Sequence, residues 1–91
     1  MSSTLRLFYI EVTDTFGGEA NYSWVTRHVI RAKSERGAIA ALARRSGLNW
    51  RFDGTKYLSK SGATCAFIDM YDKEYHGELR LNTDDRKESE K

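Results

Sequence analysis

Apolar and polar positions alternate along the first third of the chain, shift to a helical period, and then alternate again. Residues 5–12 are apolar and aromatic between polar flanks, which predicts a strand. Phe8, Ile10 and Val12 fall on one face of it and Leu5, Leu7 and Tyr9 on the other. Apolar residues on both faces predict a central strand, or one whose second face is also covered. Residues 22–32 predict a second strand, with Trp24, Thr26, His28 and Ile30 on one face and Val25, Arg27, Val29 and Arg31 on the other. The simplest pairing of the two is antiparallel. The eight residues 14–21 between them read as a loop, longer than a tight hairpin needs, with Gly17 and Gly18 permitting positive φ.

Residues 34–46 carry the helical period. Ser34 is placed to cap, Ala38, Ile39, Leu42 and Ala43 share a face, Arg44 and Arg45 suit the last turn, and Gly47 follows as a stop. Trp50, Arg51 and Phe52 and then Lys56, Tyr57 and Leu58 flank Asp53-Gly54-Thr55, which reads as a tight turn or as an irregular bulge in one strand. Residues 63–71 predict a strong strand, and Leu79 with Leu81 leaves open a short fifth strand at an edge. The order β-β-α-β-β defines an α+β domain: an antiparallel sheet of about four strands with one helix packed on one face. A helix of about three turns covers only one face. The other calls for a loop, the C-terminal segment, a second copy such as a homodimer would supply, or a partner.

Length changes this picture little, since 91 residues are room for one domain. The domain is expected over 1–81, with 82–91 a charged, disordered tail. Cys65 is the only cysteine, so no internal disulfide forms. The N-terminal residues lack a signal-peptide pattern, and no apolar run approaches the roughly 20 residues of a membrane span. The expectation is a cytoplasmic protein with no membrane partner.

Charge changes the picture more. The segment 27–60 holds nine basic residues and two acidic ones, whereas the rest of the chain holds six basic and eleven acidic. Arg27, Arg31, Arg36, Arg44 and Arg45 are therefore candidate phosphate contacts, with Trp50, Phe52 and Tyr57 near enough in sequence to stack on unpaired bases. No helix-turn-helix, zinc finger or RNA-binding signature accompanies them, and solvated surface neutralised by the acidic residues accounts for the same pattern.

Catalytic chemistry finds less. Cys65 with His28 or His76 has the residue types of a nucleophile and base, but Cys65 sits in an apolar strand, where cysteine behaves as a small hydrophobe. Asp69, Asp72, Glu74, His76 and Glu78 offer ligand atoms without a recognised metal spacing and read as charged surface. Gly17-Gly18 lacks the following helix that a phosphate-cradling loop requires. No metal and no cofactor is expected, and an enzyme is the least supported class.

Three stretches carry a resemblance: Phe8-Tyr9-Ile10-Glu11-Val12; the run Asp14-Thr15-Phe16-Gly17-Gly18-Glu19-Ala20-Asn21-Tyr22-Ser23-Trp24-Val25; and Ala32-Lys33-Ser34-Glu35, with Cys65-Ala66-Phe67 in keeping. Over about residues 7–69 the chain resembles short, uncharacterised bacteriophage-encoded proteins. The resemblance implies a bacterial cytoplasm and supplies no activity and no catalytic residue. Small phage accessory proteins commonly bind a host protein or a defence complex, so a non-catalytic binding role is expected, with Phe16, Tyr22 and Trp24 as partner-binding residues. Nucleic-acid binding through the arginines is the alternative.

Overall fold

The computed structural model describes residues 5–79. The chain forms a five-stranded, wholly antiparallel sheet with one helix and a short helical turn: β1 (Arg6–Phe16), β2 (Glu19–Ala32), α1 (Glu35–Ser46), β3 (Trp50–Phe52), β4 (Tyr57–Ser59), β5 (Thr64–Met70) and α2 (Lys73–His76). The strand order is β2-β1-β5-β4-β3. β1, apolar on both faces, is an inner strand, as its pattern predicts.

Phe8, Ile10, Val12, Ile30 and Ala66 form the sheet side of the core, and Ala38, Ile39 and Leu42 of α1 close it. The helix begins where the Ser34 side chain accepts the Gly37 N–H at 3.1 Å. It ends at Gly47, whose φ of 73° lets its N–H bond the Ala43 carbonyl at 2.8 Å.

Two expectations need correction. Residues 14–21 are not a loop: both strands run through this stretch, and only Gly17 and Gly18 turn the chain, with φ of 64° and 86°. Positive φ at both central residues matches the right-handed twist of the hairpin strands. The polar residues that read as loop are instead absorbed by a bulge. The sheet also has five strands rather than about four, because Trp50–Phe52 and Tyr57–Ser59 are two strands. The turn between them is built on Asp53, whose carboxylate accepts the backbone N–H of Thr55 and of Lys56 at 3.1 and 3.0 Å. The fifth strand does not come from Leu79, which lies outside any strand; Leu81 and the expected tail 82–91 lie outside the described residues.

The second face is partly covered by the segment after β5. The Tyr71 N–H bonds the Leu7 carbonyl at 3.0 Å, and α2 then lays the His76 ring on Tyr9. No helix among the described residues is long and apolar enough to cross a membrane.

Candidate functional site

The far end of the β1–β2 hairpin departs most from regular structure. Register runs Thr13↔Val25 and then Thr15↔Ala20, so Asp14 alone faces residues 21–24. The Asp14 carboxylate gathers this excess chain, accepting from Asn21 Nδ2 at 2.8 Å, from the Ser23 N–H at 2.9 Å and from the Ser23 hydroxyl. These donors stabilise the ionised form and hold its pKa well below the usual carboxylate range, the Ser23 hydroxyl contributing most. Thr13, fully buried, completes the clamp: its Oγ1 accepts the Tyr22 N–H at 3.0 Å and donates to the Trp24 carbonyl at 2.8 Å.

The clamp fixes Tyr22 at φ 61°, the one non-glycine residue with positive φ among the described residues. A left-handed tyrosine is strained, costing on the order of 1 kcal/mol or more, and persists only where its surroundings over-determine it. Around it the surface is aromatic: Phe16 is 79% exposed, Tyr22 54% and Trp24 43%, with Val25 beside them at 40%. The structure thus gathers the three residues Phe16, Tyr22 and Trp24 at one end of the sheet. Sequence reasoning missed the residues that hold them, Thr13 and Asp14. The signal was there in Asp14, Asn21 and Ser23, three polar side chains able to bond backbone, but it reads equally well as loop.

The five arginines are not brought together. Arg27 pairs with Glu11 and Arg31 with Leu7, so both belong to the sheet face that carries Tyr9, opposite the helix. Arg36, Arg44 and Arg45 are on α1, across the sheet. The alternation of β2 imposes this split, and Arg27 is engaged further. Its Nε donates to the Tyr9 hydroxyl and its Nη2 to the His76 carbonyl, both at 3.0 Å. The Tyr9 hydroxyl in turn donates to Glu11 at 2.9 Å.

This network is the centre of the second face. The His76 and Tyr9 rings stack with centroids 4.0 Å apart, and Tyr75 meets His76 edge-on at 4.9 Å. His76 Nδ1 accepts the Asp72 N–H at 2.9 Å, which leaves Nε2 facing Asp69 at 3.8 Å. Beside the stack lies an open groove of about 570 Å³, lined by Glu11, Arg27, Phe67, Asp69 and Tyr75 among others. It offers charges of both signs, and its one arginine is already spent on Tyr9 and His76.

The candidate dyads do not assemble. Cys65 is opposite Thr13, on the Tyr9 face, whereas His28 is opposite Ile10 on the helix face. His76 shares the Cys65 face but sits over Tyr9, four residues along β1, or about 13 Å away at the strand rise. Burial pushes the Cys65 thiol pKa up, which opposes formation of a nucleophilic thiolate. Of the acidic run, Asp72 caps α2 and Glu78 pairs with Lys73 at 3.4 Å. No group of three or more His, Cys, Asp or Glu among the described residues is arranged to hold a metal ion.

Comparison with protein-family models, curated proteins and solved structures yields no match.

Proposed function

We propose that the chain is a non-catalytic, bacteriophage-encoded accessory protein that acts in the bacterial cytoplasm by binding a host protein. The binding surface is the hairpin end bearing Phe16, Tyr22 and Trp24. One observation carries the reading: exposed aromatic side chains surround a tyrosine held in a strained conformation by a dedicated set of hydrogen bonds. Tyrosine and tryptophan dominate the energetics of protein interfaces because they bury much area while freezing few torsions. Fixing the backbone beneath them before contact removes part of the entropic cost of association. Strain without such a role is a net loss of stability.

Affinity capture from bacterial lysate, with the partner identified by mass spectrometry, tests the proposal. Phe16→Ala combined with Trp24→Ala is expected to abolish capture while leaving the amide spectrum of the core unchanged. Tyr22→Gly is the sharper variant. Glycine takes φ 61° without strain, so stability should hold or rise by about 0.5–1 kcal/mol while partner binding is lost. Folded variants that retain the same partner at full strength overturn the assignment.

A further inference from the structure

The outer edge of β2 has no strand beside it, and the direction of its free backbone groups follows from bonds at the other side of β1. Leu7 accepts from Tyr71 and Thr15 donates to Ala63, so odd-numbered residues of β1 turn their polar groups toward β5. In an antiparallel ladder both groups of a residue point the same way, and successive residues alternate. Phe8, Ile10 and Val12 therefore bond β2, through their opposites Ile30, His28 and Thr26. That leaves the N–H and C=O of Val25, Arg27, Val29 and Arg31 directed away from the sheet.

These same residues set the side-chain pattern that an added strand would meet. Arg27 and Arg31 stand four residues apart on the face opposite the helix, with Val29 between them, and no acidic residue occurs from Val25 to Lys33. The other edge of the sheet, β3, has only three residues. Short length protects an edge against strand addition, whereas β2 runs for 14 residues and stays regular from Val25 onward.

We infer that the edge from Val25 to Ala32 receives an extended, acidic peptide segment of a partner protein as an added antiparallel strand. Backbone bonds supply affinity, and acidic side chains spaced four apart, opposite Arg27 and Arg31, supply selectivity. A second copy of this chain is a poor occupant. Self-pairing centred on Val29 sets Arg27 of one copy against Arg31 of the other, and centring on Arg27 or Arg31 sets that residue against itself. The proposal extends the binding role from the aromatic end to the strand beside it, and separate variants test the two.

The probe is the capped peptide Thr-Glu-Thr-Val-Thr-Glu-Thr, titrated into the isotope-labelled full chain and followed by NMR. Saturable shifts and slowed amide exchange are expected at Val25, Arg27, Val29 and Arg31, with smaller changes at the residues between. N-methylation of the central valine removes one inward N–H and should weaken binding about tenfold or more. N-methylation of a neighbouring threonine, whose N–H faces away, should change it little. Replacing both glutamates by lysine should also cost about tenfold. Arg31→Glu should reverse that preference, and Phe16→Ala should leave peptide binding intact even where host-protein capture fails. Three results overturn the proposal: no saturable shift at millimolar peptide, equal effects of the two N-methylations, or concentration-dependent protection of the same amides without peptide. The last of these would assign the edge to a dimer.

Discussion

The two faces of the sheet are held by different physics. Under α1, aliphatic and aromatic side chains close on one another, and stability follows the area they remove from water. On the opposite face a single histidine ring stacks on Tyr9, with Arg27, Glu11 and the backbone of the last described segment bound around it by directed contacts. Hydrogen bonds are worth little net because water competes for them, yet they fix geometry sharply. The helix face therefore sets whether the chain folds, and the Tyr9 face sets where the segment after β5 lies.

The largest effect should come from the helix face. Leu42→Ala removes a fully buried side chain and should cost about 2–5 kcal/mol in urea denaturation, lowering protection across the whole sheet. His76→Ala should cost less, about 1–2 kcal/mol, with its loss of amide protection confined to residues 71–79 and their neighbours on Tyr9. A global loss as large as that of Leu42→Ala would erase the distinction between the faces.

The smallest effect belongs to the hairpin clamp and appears only in acid. Its bonds lower the folded pKa of Asp14, so its contribution is complete above the ordinary aspartate value of about 3.9. It is lost only as the pH falls through the depressed folded value. Carboxyl NMR should place the Asp14 midpoint well below 3.9, with the Tyr22 amide losing protection in the same window while Ile10 and Leu42 keep theirs. A midpoint near 3.9 would mean the clamp is open in solution.

Legibility followed the same division. Apolar periodicity reports burial, so the helix over Ala38, Ile39 and Leu42 and the inner position of β1 were both readable from it. Directed contacts leave no periodic trace. Asp14, Asn21 and Ser23 look like loop residues whether they face solvent or fold excess chain into a bulge, and only register separates the two. Asp53 resolved an ambiguity between turn and bulge in a similar way, through backbone bonds no pattern reveals. The aromatic trio was legible as residue types, whereas its supporting threonine and aspartate were not. The arginines were misleading for the opposite reason: closeness in sequence says nothing of which side of a sheet a residue takes.

Strand order also has a consequence in time. β5, the last strand of the described chain to leave a ribosome, is the middle one of the sheet. Until it arrives, the β1–β2 hairpin and the β3–β4 pair have nothing to join them, and the inner edge of β1 is bare. Closing the sheet means bringing Phe8 to Met70 across nearly the whole chain, which slows folding and delays it to the end of synthesis. A nascent chain halted before Thr64 thus carries two unattached halves, exposed to chaperones and proteases until its keystone strand is made.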